Sequence, residues 1–79
     1  MNDTRERILA ILEEMHPDVD FETEEALVTD KVLDSFDLVS LVSELGNEFD
    51  IEVKAKDFVE ENFNSLNALT EMVNRLMED

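Results

Sequence analysis

Residues that break helices are almost absent from this sequence. Among its 79 residues there is one proline, Pro17, and one glycine, Gly46. Apolar residues recur at the three- and four-residue spacing of buried helix faces, and no segment alternates apolar and polar residues as a half-buried strand does. These patterns predict an all-α fold. A chain of this length buries only about 60–65% of its unfolded surface, so we expect one domain, residues 1–79, around a small core.

The apolar spacing predicts a small four-helix bundle with three longer helices and one short one. The first helix is expected from about Thr4 to Met15, and the second from Asp34 or Ser35 to about Phe49. The short third helix is expected from about Lys56 to Asn62. The fourth is expected to follow a Ser65 cap and to end near Met77. The apolar stripes of the longer helices are Ile8, Ile11, Leu12, Met15; Leu38, Leu41, Val42, Leu45, Phe49; and Leu66, Leu69, Met72, Val73, Leu76. The short helix is expected to bury Phe58, Val59 and Phe63, and Gly46 to permit a close helix approach.

A long connection, residues 17–33, separates the first two helices. Loops of this length in a compact domain are usually pinned or functional. The expected anchors into the core are Phe21, Leu27, Val28, Val32 and Leu33. The acidic cluster at residues 18–25 invites a calcium-binding interpretation, but it lacks the glycine and the ligand spacing of an EF-hand loop. We therefore predict a solvated acidic loop and no metal site.

Negative charge limits the partners that this chain can bind. The sequence has 22 acidic and 6 basic side chains, a formal net charge of −16, and there is no Lys or Arg from Val32 to Val53. Such a surface repels phosphates, which argues against nucleic acid and anionic membranes and favours basic protein partners. No apolar run approaches the length of a membrane span, and the first residues lack the pattern of a signal peptide. We expect a cytoplasmic monomer without membrane insertion.

Ser35 stands at the expected start of the second helix. Asp34 suits the N-cap position, and Asp37 stands where a capping box usually has Glu or Gln. A serine nucleophile needs a histidine base within reach, and the one histidine, His16, is expected to be an exposed residue at the end of the first helix. We therefore predict that the chain is not an enzyme. The simplest alternative for Ser35 is a helix-start residue with no other role.

Residues 34–42, Asp-Ser-Phe-Asp-Leu-Val-Ser-Leu-Val, resemble the D-S-L-D-x-V-E-L-V signature of acyl carrier proteins. The order of the expected helices and the long first loop resemble the same family over nearly the whole chain. The sequence departs from the family pattern at Phe36, Ser40, Ser43 and Gly46. The Leu-Asp-Ser-Phe run at residues 33–36 also resembles D-alanyl carrier proteins.

The resemblance implies that Ser35 receives a 4′-phosphopantetheine arm from coenzyme A, transferred by a separate phosphopantetheinyl transferase that uses magnesium. Asp34 would cap the helix beside the attachment site. The arm ends in a thiol, which this cysteine-free chain lacks. The resemblance further implies a partner surface for enzymes with basic docking patches, which is formed by Asp37, Val39, Glu44 and Glu48.

We therefore expect a discrete carrier of thioester-linked acyl groups for fatty acid or polyketide-type biosynthesis, served by acyl-transferring or synthase enzymes. The first alternative is a D-alanyl or other aminoacyl carrier. The second is an acidic helical interaction domain without a prosthetic group.

Overall fold

The computed structural model describes residues 3–78, which form four α-helices and one short 3₁₀ helix and contain no strand. In chain order they are α1 (Asp3–Met15), α2 (Ser35–Phe49), the 3₁₀ helix (Ala55–Asp57), α3 (Glu60–Phe63) and α4 (Leu66–Glu78). The predicted all-α fold, the three longer helices and the long connection between the first two are confirmed. None of the helices in this part of the chain is both long and apolar enough to cross a membrane.

One cluster of buried side chains holds the helices together. α1 packs against α4 and α2, while α3 packs on α4. The buried members are Ile8, Leu12, Phe21, Leu27, Leu33, Leu41, Leu45, Phe49, Phe63, Leu66, Leu69, Met72 and Val73. Each predicted stripe therefore faces the core, and its remaining members are half-buried at the edge: Ile11, Met15, Leu38, Val42 and Leu76.

The predicted short helix is present as α3, but its expected bounds of about Lys56–Asn62 are wrong, because the segment divides into the 3₁₀ helix and α3 with extended backbone at Val59. Val59 has φ −122° and ψ 153°, a conformation that suits its β-branched side chain. α3 begins only at Glu60, so acidic side chains occupy its first turn, where the helix dipole favours them. Phe58 and Val59 stay 46% and 40% exposed, and of the three expected contacts only Phe63 is buried.

Gly46 permits the close approach of a backbone carbonyl group, and not of another helix. α2 ends at Asp50, which adopts the left-handed conformation with φ 55°, and the chain then folds back along the helix. A Cβ atom on Gly46 would lie 3.2 Å from the Ile51 carbonyl oxygen, so a side chain here would press on the returning backbone. This return places Val53, Lys54 and Ala55 in a groove with Val39 and Val42 of α2.

Asn64, at the junction of α3 and α4, secures the long connection. Its backbone carbonyl accepts a hydrogen bond from Leu27 N (2.8 Å), and its Oδ1 accepts from Val28 N (2.9 Å) and Thr29 N (3.1 Å). Its Nδ2 donates to the Thr29 hydroxyl (3.2 Å), which itself donates to the Glu60 carboxylate. Asn64 therefore fixes the middle of the connection.

The end of the connection leads directly to α2. Leu33 N donates to the Leu27 carbonyl (2.9 Å), so the segment before Ser35 closes on the turn that Asn64 holds. The predicted anchors Phe21, Leu27 and Leu33 are buried, and Val28 and Val32 pack half-buried against them.

Candidate functional site

Ser35 is the first residue of α2 and is exposed to solvent. The cap that precedes it has the predicted form. Asp34 Oδ1 accepts a hydrogen bond from Asp37 N (2.8 Å), and Asp37 Oδ2 accepts one from Asp34 N (3.3 Å). This reciprocal pair closes the first turn of the helix, which Ser35 begins. The N–H groups of a first helical turn favour an anion placed beside them.

His16 lies beside this cap, in a contact that the sequence did not predict. Its ring Nε2 is 2.8 Å from Asp37 Oδ2, and its side chain is only 33% exposed. The expectation that His16 is exposed is therefore wrong. The physical reason is that the long connection returns the start of α2 to the end of α1, so that residues 21 positions apart meet. The contact joins α1 directly to the turn that carries Ser35.

The environment of Asp37 favours its charged form. Partial burial opposes ionisation of this carboxyl, but hydrogen bonds from the His16 ring and the Asp34 amide, together with the charge of His16, hold the pKa of Asp37 below its ordinary value. A carboxylate that is stabilised in this way stabilises the fold in turn while it is ionised.

Asp37→Asn should therefore lower the free energy of unfolding by about 0.3–1 kcal/mol at neutral pH, the usual contribution of a negative charge in the first turn of a helix. Because the pKa of Asp37 is lower in the folded chain, its contribution is present above the unfolded value of about 3.9 and is lost as pH falls through the folded value. Urea unfolding at pH 7 and pH 3 should show a difference between the two proteins that shrinks in acid. A difference independent of pH would mean that the charge of Asp37 does not stabilise the cap.

The four residues of the expected partner surface have different surroundings. Val39 and Glu44 are exposed, Val39 by 63%, whereas the Asp37 side chain is only 20% exposed. Glu48 pairs with Arg7 of α1, with Nε 2.7 Å from Oε2, and Arg7 also donates to the Glu48 carbonyl (2.9 Å). The structure therefore leaves Glu44 as the carboxylate of this set that is exposed and not engaged by α1.

An apolar groove of about 210 Å³ opens beside α2 at Val39 and Val42. It lies between α2 and the returning chain, and its lining residues are Val39, Val42, Val53, Lys54, Ala55 and Phe58. Phe36, 77% exposed, adds a further apolar surface next to Ser35. Sequence reasoning missed the groove because it assigned Phe58 to the core. The site thus combines an exposed hydroxyl, the start of a helix and an apolar surface that can receive a non-polar group.

The acidic connection does not gather metal ligands. Within residues 3–78 the structure places no group of three or more His, Asp or Glu side chains close enough together to hold a metal ion.

Comparison with known proteins identifies the family of this chain. Residues 6–73 match the family described as "Phosphopantetheine attachment site". The D-alanyl carrier protein of Streptococcus sanguinis is 36% identical over 75 residues, 94% of this chain and 95% of the relative. The D-alanyl carrier protein of Streptococcus suis is 38% identical over 76 residues, 95% and 96% of the two chains. No solved structure matches the chain. On the extent of these matches, the chain belongs to the family of carrier proteins that hold a covalently attached phosphopantetheine group.

Proposed function

We propose that Ser35 is the attachment residue and that the chain is a discrete, non-enzymatic carrier of thioester-bound groups. The observation that carries this proposal is the exposed Ser35 hydroxyl at the capped start of α2, inside the region that matches the family. The surroundings fit the prosthetic group. Helix N–H groups suit its phosphodiester, and the apolar groove lined by Val39 and Val42 of the same helix can contact the methyl and methylene groups of the arm.

This chain and its partners would divide the chemistry between them. When bound, phosphopantetheine supplies a thiol, which the cysteine-free sequence lacks. The chain contributes the hydroxyl of Ser35, its orientation and a recognition surface. A phosphopantetheinyl transferase supplies the catalysis of attachment, and further enzymes load and unload the thioester.

We infer that the cargo is D-alanine or a similar amino acid. The curated relatives at 36% and 38% identity, which match along almost their whole length, are D-alanyl carrier proteins, so the comparisons favour this class over fatty acid or polyketide intermediates. The packing is consistent with a small cargo. The central residues Leu12, Leu41 and Leu69 have no exposed surface, and an aminoacyl group requires no opening of this core. The groove beside Ser35 is the observation in favour of a longer acyl chain, which would gain about 0.8 kcal/mol for each CH₂ that it buries.

Loading experiments distinguish the two cargoes. Holo protein incubated with ATP and a D-alanine-activating ligase should gain the mass of one D-alanyl group, and hydroxylamine should remove it because the bond is a thioester. Apo protein loaded instead with an octanoyl-bearing arm should keep the melting temperature and core NMR shifts of the unacylated holo form. No charging with D-alanine, together with shifts of core resonances on octanoylation, would contradict the aminoacyl proposal and restore the acyl-chain alternative.

We propose that Asp37, Val39, Glu44 and Glu48 contribute to the surface that partner enzymes contact. Glu44 is the most informative of the four because it is exposed and α2 has no basic residue. Charges at an interface mainly set the association rate, so Glu44→Lys should lower kcat/KM of the transferase several-fold while kcat changes little. Raising the salt concentration should slow the wild type more than the variant.

Glu71→Lys, on the exposed side of α4, makes the same change in net charge away from Ser35 and serves as the matched control. Equal losses in Glu44→Lys and Glu71→Lys would show that total charge, and not this surface, steers the partner. The far-ultraviolet CD spectrum reports whether each variant keeps its helices.

A further inference from the structure

His16 is the single histidine of the chain, and it joins α1 to the turn that presents Ser35. Its Nε2 contacts Asp37 Oδ2 at 2.8 Å, and the same oxygen accepts the Asp34 amide at 3.3 Å. The ring nitrogen therefore lies at most the sum of these two distances from the backbone of the residue before Ser35. His16 is linked to Ser35 through the Asp34–Asp37 capping turn, and this link does not require an interaction of the Ser35 side chain.

The charged groups that contact His16 or lie close to it in the sequence are acidic. Asp37 and Asp34 face it from the start of α2, and Asp18 and Asp20 follow it in the connection. The neighbouring groove between α1 and α2 is lined by Ile11, Glu14, Met15 and Glu44. Lys and Arg are absent from residues 32–53, so none of the side chains of α2 offsets a negative charge placed on Ser35.

We propose that His16 is a positioning residue for Ser35: its protonated ring holds the Asp34–Asp37 capping turn and offsets the negative charge that modification of Ser35 adds. The inference rests on the proposed attachment at Ser35. An uncharged ring can still donate one hydrogen bond to Asp37, but it cannot compensate charge. The role therefore depends on protonation of the ring.

The phosphodiester and the imidazolium must then influence each other. A negative charge added at Ser35 attracts a protonated ring and therefore favours the protonated form. The C2–H resonance of His16 is a single reporter, because there is no other imidazole in the sequence. We expect its NMR titration midpoint to be higher in holo protein than in apo protein.

The loading reaction gives a second readout. His16→Gln keeps a hydrogen-bond donor and removes the titration. Taking the ratio of wild type to variant cancels the transferase's own pH dependence, and we expect this ratio of kcat/KM to be about threefold at pH 6 and to approach one at pH 8. Glu13→Gln, an exposed change one turn earlier on α1, should give a ratio that does not vary with pH.

The two sets of measurements separate the inference from the proposal on which it rests. A wild type that the transferase does not modify at Ser35 overturns both. Modification at Ser35 with equal apo and holo midpoints, and with a His16→Gln ratio that is the same at every pH, overturns the positioning role alone. A uniform loss at all pH values, accompanied by a lower free energy of unfolding, assigns His16 a purely structural role and also overturns it.

Discussion

Ser35→Ala protein is expected to gain no phosphopantetheinyl group when it is incubated with coenzyme A, magnesium and a transferase of broad specificity. Attachment requires a hydroxyl that is exposed and held at the start of a helix, and Ser35 meets both conditions. The loss should be complete because alanine offers no oxygen to form the phosphodiester. Intact-mass spectrometry before and after incubation measures it directly, with the wild type converting from one species to a heavier one.

Other serines of α2 supply the matched controls. Ser40 is half-buried and Ser43 is exposed, and both lie farther along the helix, away from its capped first turn. Ser40→Ala and Ser43→Ala should therefore be modified to the same extent as the wild type. Since alanine at Ser35 leaves the Asp34–Asp37 cap in place, the melting temperature should change little. A heavier species in the Ser35→Ala protein would show that the attachment site lies elsewhere in the chain.

Local sequence signals predicted most of the fold because they act within one or two turns. The Asp34 cap of α2 and the Ser65 cap of α4 are both present, and in the second the Ser65 hydroxyl oxygen accepts a hydrogen bond from Ala68 N at 3.0 Å. The apolar stripes point to the core for the same reason, since a helix fixes the relation of its faces. Residues 55–63 are the exception. That segment is too short for the 3.6-residue period to distinguish one helix from two short helices separated by an extended residue.

Contacts between distant segments could not be predicted in the same way. The pairs His16–Asp37 and Arg7–Glu48 join residues 21 and 41 positions apart, and their formation depends on how α1 lies against α2. A single sequence specifies the charges but not this packing. As a result, Glu48 was expected to face partners only, whereas Arg7 engages its carboxylate and also lies 4.7 Å above the Phe49 ring.

The structural role of Asn64 could not be predicted from the sequence. Its removal should lower the free energy of unfolding more than the loss of the Asp37 charge does. Its side chain accepts two backbone hydrogen bonds from the connection and donates a third to Thr29. Leaving the part-buried Val28 N–H without an acceptor costs about 1–3 kcal/mol, whereas water can replace the acceptor of the exposed Thr29 N–H. Asn64→Ala should therefore lower the free energy of unfolding by about 2 kcal/mol, which equilibrium unfolding in urea measures.

Two further variants separate the lost hydrogen bonds from a general effect of the substitution. Asn64→Asp keeps an oxygen at the Oδ1 position for Val28 N and Thr29 N and loses only the donor to Thr29, so it should cost less than Asn64→Ala. Asn74→Ala, on the exposed side of α4, should cost least. Because the turn that Asn64 holds is tied by Leu33 to the start of α2, Asn64→Ala should also slow modification of Ser35. If Asn64→Ala and Asn74→Ala prove equally stable, the connection is held by its buried anchors Phe21, Leu27 and Leu33, and Asn64 does not determine its position.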